Sequence, residues 1–199
     1  MAIGFHWHSD WMTPRLLSAI GSAVIYWAMI DHRIIEVCEF AWRTSHPGER
    51  VPRSFDIRIA GLKEIAASIY KNEPDEYRIF SWYVQRLRTL NGRRDDLAHG
   101  LPGKVTKKGR TYDGIKIPFP SRDTKYSELT VEDIEELAED LKAMEGETHQ
   151  VSMAILHALQ ASSGNISIWQ DPDGWAPLTK DNRSPKLPRE NLPPPTFRE

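Results

Sequence analysis

Apolar residues recur at intervals of three and four along four stretches of this chain, which is the spacing of one face of an α-helix. The first stretch begins at Thr13 and Pro14, a pair suited to a helix start, and continues to about Arg43. The second follows Ser54 and ends before Pro74. The second stretch carries Asp56, Arg58 and Lys63 on the opposite side, and each stretch predicts a helix with one face toward a core.

The third and fourth stretches are equally periodic. The third begins near Pro74 and closes on the sequence RRDDLAHG at residues 93–100, where Gly100 and Pro102 predict the end of a helix. The fourth begins at residues 129–133, LTVED, a combination typical of a capped helix start, and continues as a long apolar stripe. Four long helices are therefore expected.

The segment between the third and fourth helices has a different character. Residues 100–126 are rich in Gly, Pro, Lys and Arg, with short alternating pieces around Asp113 and Gly114. This composition predicts a basic loop, or a small β-hairpin with alternating pieces at residues 104–106 and 114–117.

The ends of the chain lack helical periodicity. Residues 162–199 contain many prolines and isolated tryptophans, which predicts an irregular tail. The expected organisation is an N-terminal segment at residues 1–12, one helical domain at 13–161 and the tail at 162–199. The expected fold class is all-α, an up-down bundle of about four long helices.

Composition excludes several classes of protein. A hydrophobic content of 40% is enough for a core, and a net charge of −2 excludes a uniformly basic surface. The longest apolar run, residues 23–30, is too short to cross a bilayer, the first residues do not resemble a secretory signal, and Cys38 is the single cysteine. We expect a cytoplasmic protein without a membrane partner. No phosphate-binding glycine loop, Ser/His/Asp set or cysteine cluster is present, so no cofactor and no metal are expected.

Arg94 is a charged residue at a position where the third helix should bury an apolar side chain. Continuing the stripe through Leu87 and Leu90 leads to Arg94 and then Leu97. Burying an unpaired guanidinium costs several kcal/mol, on the order of 3–5 when a partner is missing, so Arg94 needs an ion partner, a wet cleft or a bound anion. One interpretation is a contact with phosphate. The other is a structural ion pair with an acidic residue of the fourth helix, for which the candidates are Glu135, Glu136 and Glu139.

The hexapeptide at residues 94–99, RDDLAH, resembles the Arg-x4-His signature of the HEPN domain family, and the helical surroundings at residues 20–159 are similar to that family. The resemblance implies a helical, often dimeric domain whose active members are metal-independent endoribonucleases. It implies that Arg94 stabilises negative charge on phosphorus, that His99 transfers protons and that Asp95 orients one of them. Asp96 is expected to be solvated or to pair with a neighbouring helix.

The arrangement of these residues suggests a homodimer. Arg94 and His99 are five residues apart, about 140° around an ideal helix, so a convergent site calls for a second copy of the chain. His99 has a simpler interpretation too, as a helix-end residue bonding terminal carbonyl groups. The basic residues expected to guide an RNA backbone are Arg88, Arg93, Lys104, Lys107, Lys108 and Arg110.

Two functions remain open from the sequence. The first is an endoribonuclease acting as a toxin or defence component, with RNA and a protein antitoxin as partners. The second is a noncatalytic, dimeric interaction module of the same family. Some toxin members of the family carry a modifiable tyrosine two residues after the histidine, and this chain has Leu101 there.

Overall fold

A computed structural model describes residues 12–45, 50, 53–117 and 128–163. These residues form four helices and three strands. In chain order the elements are α1 (Pro14–Ser45), α2 (Phe55–Ile69), α3 (Pro74–His99), β1 (Leu101–Lys107), β2 (Arg110–Lys116), β3 (Glu128–Thr130) and α4 (Val131–Ser163).

The four predicted helices are confirmed. α1 begins at the predicted Pro14, where the backbone N–H of Leu16 donates to Oγ1 of Thr13 at 3.3 Å. α3 runs without interruption from Pro74 to His99, so the motif closes it as expected. No described helix has an apolar window of the length needed to cross a membrane. The predicted N-terminal segment, apart from Met12, and the predicted tail beyond residue 163 lie outside the described residues.

The all-α prediction is wrong, because the basic segment after α3 folds into an antiparallel sheet in the order β1-β2-β3. β1 and β2 pair along their full length, from Leu101 opposite Lys116 to Lys107 opposite Arg110. Val105 and Ile115 are buried, which gives the sheet an apolar face. The spacing of three and four that predicts helices cannot reveal this face, because a strand buries every second residue.

The hairpin turns between Lys107 and Arg110. Lys108 and Gly109 both have positive φ, 52° and 76°, as a two-residue turn of type I′ requires. Asp113 and Gly114 lie inside β2. Gly114 is needed there, since a Cβ at this position would lie 2.1 Å from the carbonyl oxygen of Leu129 on β3.

The described residues within 12–29 and 86–145 form one compact unit, and those within 30–85 and 146–163 form a second. The first unit contains the three strands and the motif of α3. The buried apolar residues of its helices are Leu16, Ala19, Ala23, Trp27, Leu87, Leu90, Leu97, Val131, Ile134, Leu137, Ala138, Leu141 and Met144.

The second unit contains α2 and has its own apolar core. Its largest fully buried side chains are Tyr70, Phe80, Ile30, Ile34, Ile59 and Ile155. Two buried polar contacts are set into it: Tyr83 donates its hydroxyl to Thr148 at 2.9 Å, and the guanidinium of Arg58 pairs with Asp31. Burial raises the pKa of Tyr83 above its ordinary value, which keeps the hydroxyl protonated as a donor.

A reciprocal cap connects the sheet to α4. The backbone N–H of Asp133 bonds Oγ1 of Thr130 at 3.3 Å, while Oδ2 of Asp133 accepts the backbone N–H of Thr130 at 2.8 Å. Lys107 of β1 donates to the same carboxylate at 2.9 and 3.0 Å. Partial burial alone would raise the pKa of Asp133, but these hydrogen bonds from Thr130 and Lys107 outweigh it and lower the pKa.

The Asp133→Ala protein is expected to be less stable to urea than the wild type by about 1–2 kcal/mol at neutral pH, because the cap and the lysine contact are both lost. Since the folded-state pKa of Asp133 is depressed, this stabilisation is present above its ordinary value of 3.8 and disappears as the pH falls through the lower folded value. Urea titrations between pH 7 and pH 2.5 measure the difference. Glu136→Ala, which removes an exposed carboxylate of the same helix, is the control; an equal loss of stability there would exclude the cap as the cause.

Candidate active site

The motif occupies the last two turns of α3 in the first unit. Leu90 and Leu97 are 6% and 5% exposed, and Arg94 lies between them on the same face with 27% of its side chain exposed. The guanidinium is therefore partly withdrawn from water at a seam that otherwise holds leucines. Such a position is costly for a charge unless neighbouring groups compensate it.

Three side chains surround the guanidinium of Arg94, and we call Trp27, Asn91 and Asp95 the Arg94 clamp. The guanidinium carbon lies 4.9 Å from the centre of the Trp27 ring, a cation–π distance. Nη1 pairs with Oδ1 of Asp95 at 2.9 Å, and Nη2 donates to Oδ1 of Asn91 at 3.1 Å. Asn91 also donates to Oδ2 of Asp95 at 3.4 Å, so the three polar residues close a ring.

The clamp leaves part of the guanidinium available. Nε of Arg94 is buried and has no hydrogen bond to a described residue, which makes it inaccessible to a ligand. Nη1 and Nη2 each carry two N–H groups, and the contacts to Asp95 and Asn91 account for one on each nitrogen. The other N–H group of each nitrogen has no contact with a described residue, and 27% of the side chain is exposed.

The acidic residues of α4 do not neutralise Arg94. Arg15 of α1 pairs with Glu132 at 3.0 Å and with Glu135 at 2.6 Å. The hydrogen bond from Arg15 lowers the pKa of Glu135, which keeps that carboxylate charged. Arg15, Glu132 and Glu135 are all well exposed, so these ion pairs contribute little to stability.

Arg93, the neighbour of Arg94, pairs with a different acidic residue of α4. Its Nη1 donates to Oδ2 of Asp140 at 2.6 Å. Of the two adjacent arginines, Arg93 thus makes the structural contact between helices. Within the described residues Arg94 has no ion pair with α4, so the predicted pairing of Arg94 with one of its glutamates is wrong.

His99 ends α3 and is exposed. Its imidazole makes no hydrogen bond to another described residue, so the alternative role in bonding helix-end carbonyl groups is not observed. The backbone beside it is closely packed: a Cβ at Gly100 would lie 1.9 Å from Cγ2 of Ile115 and 3.2 Å from the carbonyl oxygen of Asp96. Gly100 therefore permits β2 to approach the end of α3, and this contact fixes where the backbone of His99 lies.

The predicted RNA-binding residues fall into two groups. Three of them already have acidic partners: Arg93 with Asp140, Lys104 with Asp113, and Lys107 with Asp133. The other three are exposed and have no ion pair with a described residue; they are Arg88 on α3, Lys108 at the hairpin turn and Arg110 at the start of β2. Only the second group offers its charge to a ligand without breaking a contact.

Two members of the clamp were not anticipated as site residues. Trp27 lies in the apolar stripe of α1 and is only 7% exposed, a position that indicates a core residue rather than a site residue. Asn91 precedes Arg94 by three residues and Asp95 by four, which is the spacing of neighbours on one helix face. This spacing is the feature of the sequence that could have identified Asn91 as a site residue. Asp96 is 3% exposed, so it is not solvated, and the other expectation, that it pairs with a neighbouring helix, stays a prediction.

Comparisons with protein-family models, curated proteins and solved structures found no significant match to this chain.

Proposed function

We propose that this protein is an HEPN-like endoribonuclease that cleaves RNA without a metal ion, with Arg94 and His99 as its catalytic pair and Asp95 orienting Arg94. The observation that carries the proposal is the Arg94 clamp. It holds a partly exposed guanidinium at a fixed angle and leaves two N–H groups unused, while the acids of α4 bind Arg15 and Arg93.

The chemistry requires only proton transfer and charge stabilisation. The ribose 2′-oxygen attacks the adjacent phosphorus, the bond from phosphorus to the 5′-oxygen breaks, and the products are a 2′,3′-cyclic phosphate and a 5′-hydroxyl. His99 moves a proton, either from the 2′-hydroxyl or to the departing 5′-oxygen, because imidazole accepts and donates protons near neutral pH. Arg94 stabilises the additional negative charge on the phosphoryl oxygens through the free edge of its guanidinium.

The two residues are proposed to converge from two copies of the chain. On α3 they diverge by about 140°, and the Arg94 clamp fixes the guanidinium on the side of α1. A two-fold dimer can bring His99 of one copy to Arg94 of the other. The proposed complex is therefore a homodimer with two composite sites.

RNA binding is proposed to use Arg88, Lys108 and Arg110 first, since their charges are not engaged by described acidic residues. Phosphate contacts of this kind are independent of sequence and weaken with salt. The biological role proposed with this activity is that of a toxin or defence component, controlled by a protein antitoxin.

A noncatalytic, dimeric interaction module is the second candidate, and one observation favours it. The charge of Arg94 is already matched by Asp95 at 2.9 Å, as in a structural ion pair. In this case the clamp stabilises the end of α3 and binds no phosphate.

Incubation of the purified protein with single-stranded RNA in EDTA tests the activity. We expect fragments that end in a 2′,3′-cyclic phosphate, and no cleavage of the DNA of the same sequence, because DNA lacks the attacking hydroxyl. Mass spectrometry of the fragments identifies the end groups. Intact RNA at high protein concentration would contradict the nuclease and favour the interaction module.

A further inference from the structure

The outer side of β1 is an open sheet edge among the described residues. The strand order is β1-β2-β3, so β1 pairs with β2 on one side and with no described strand on the other. An open edge presents N–H and C=O groups that form a template for a further strand. Another protein can supply that strand, a binding mode known as β-augmentation.

The register of the hairpin shows which residues of β1 face this edge. In a two-residue turn the flanking residues, Lys107 and Arg110, bond each other, and bonded and non-bonded pairs then alternate along the hairpin. Thr106, Lys104 and Pro102 therefore direct their backbone groups outward. Pro102 supports this assignment, because a proline has no N–H and belongs outside the ladder. We define the β1 edge as the backbone of these three residues, which make no backbone hydrogen bond outside the strand to another described residue.

Positive charge is concentrated at the turn end of the β1 edge. Lys107 and Arg110 lie directly opposite each other, and Lys108 lies between them in the turn. Among the described residues, Asp133 is the acid that pairs with this group, through Lys107. Like charges at opposed strand positions repel, and Lys108 and Arg110 have no ion pair with a described residue. We call Lys107, Lys108 and Arg110 the basic tip, and its charge favours an anionic ligand.

The charge of this region decides which strand fits. A second copy of β1 would place its own lysines beside Lys104 and the basic tip, and like charges on facing strands destabilise a sheet. An acidic strand gains hydrogen bonds at the β1 edge and ion pairs at the tip. RNA matches the charge but has no peptide groups with which to continue a β-ladder. An acidic polypeptide satisfies both features.

We infer that the β1 edge binds an extended acidic segment of a partner protein as an additional strand, with carboxylates of the segment held by the basic tip. The inference goes beyond the proposed endoribonuclease and stands whether or not the protein cleaves RNA. The seven residues of β1 span about 20 Å, so the tip lies far along the strand from His99. Lys108 and Arg110 are also proposed to bind RNA, so the segment and RNA are expected to compete for them.

Fluorescence anisotropy of a labelled synthetic peptide with the full chain tests the inference. The probe peptide has about ten residues that alternate valine and glutamate, because this alternation favours a strand and supplies negative charge. The control peptide has proline in place of each valine, which keeps the charge and prevents a regular strand. The control is expected to bind at least about 10-fold more weakly than the probe, because it cannot form the ladder.

Thr106→Pro and Thr111→Pro form a matched pair of variants. The two threonines lie opposite each other on the hairpin and both are exposed, but Thr106 faces the β1 edge and Thr111 faces away from it. Proline at position 106 removes a donor of the edge and leaves the bonds to β2 intact. Thr106→Pro is expected to weaken binding of the probe peptide at least about 10-fold, and Thr111→Pro less than about twofold. Circular dichroism verifies that both are folded.

The double variant Lys108→Asn, Arg110→Gln tests the basic tip. Asparagine before Gly109 is the preferred pair for a type I′ turn, so the charge is removed without weakening the hairpin. This variant is expected to bind the probe peptide at least about 10-fold more weakly. Lys71→Asn, Arg78→Gln removes two exposed charges in the second unit and should leave binding unchanged.

Several results would overturn the inference. One is the absence of binding up to about 1 mM probe peptide. Another is equal binding of the proline peptide or unchanged binding in folded Thr106→Pro, which would indicate a polyanion site such as RNA would use. Unchanged binding in the double charge variant would exclude the basic tip. A wild-type dimer that dissociates in Thr106→Pro, measured by sedimentation equilibrium, would mean that a second copy occupies the edge. Should Thr106→Pro not fold, the comparison of the two peptides decides.

Discussion

The Arg94→Ala protein is expected to cleave RNA at least about 100-fold more slowly than the wild type in EDTA, because the transition state loses its fixed cationic donor. Arg94→Lys should not restore the rate. A lysine ammonium cannot occupy the stacked position over Trp27 and donate to Asn91 and Asp95 while still presenting two N–H groups to phosphate. Initial rates on a labelled single-stranded RNA measure the effect.

Arg78→Ala provides the control for this loss. Arg78 lies on the same helix, is 74% exposed and pairs only weakly with Asp75 at 3.5 Å, so its removal changes the charge by the same amount without touching the clamp. Its rate should stay within about twofold of the wild type. Full activity in folded Arg94→Ala would assign Arg94 to the noncatalytic role.

Mixing two inactive proteins is expected to regenerate activity. Arg94→Ala and His99→Ala should each be inactive alone, since the two residues act on one phosphate. If each site takes Arg94 from one copy and His99 from the other, a mixed dimer contains one intact site. Random exchange in an equal mixture should then recover roughly a quarter of the wild-type rate.

The outcome of mixing separates two arrangements of the site. No recovery, although mass measurements show that subunits have exchanged, would mean that Arg94 and His99 act from the same chain or that they do not cooperate. The double variant Arg94→Ala, His99→Ala mixed with the wild type is the control. Its mixed dimers contain no intact composite site, so this mixture should lose activity by dilution and by exchange.

The helices were predictable because each carries its own apolar stripe and suitable residues at its start. The predicted starts at Pro14 and Pro74 agree with the structure, and α4 begins at Val131, inside the predicted capped segment. Local spacing is sufficient for such elements, since a helix makes its backbone hydrogen bonds within itself. The same reasoning placed Arg94 on the apolar face of α3.

The sequence offered a small hairpin as an alternative to a loop, but it did not predict β3 or the register, because a strand makes its hydrogen bonds with another segment. The turn lies at Lys108-Gly109, a pair that is less typical of a hairpin turn than Asp113-Gly114. Gly114 is required inside β2 because a Cβ there would collide with the carbonyl oxygen of Leu129, which lies on a different strand. No short window of the sequence contains both.

The surroundings of Arg94 show which features follow from the sequence alone and which depend on the tertiary structure. The sequence by itself determined four amphipathic helices, a cation set into an apolar stripe and a histidine at the helix end, because these follow from the order of residues along one helix. Only the tertiary structure decided that Trp27 stacks on Arg94 while Arg15 and Arg93 take the acids of α4. Partners on different helices depend on how those helices are rotated against each other, and the periodicity of a single helix contains no information on that rotation.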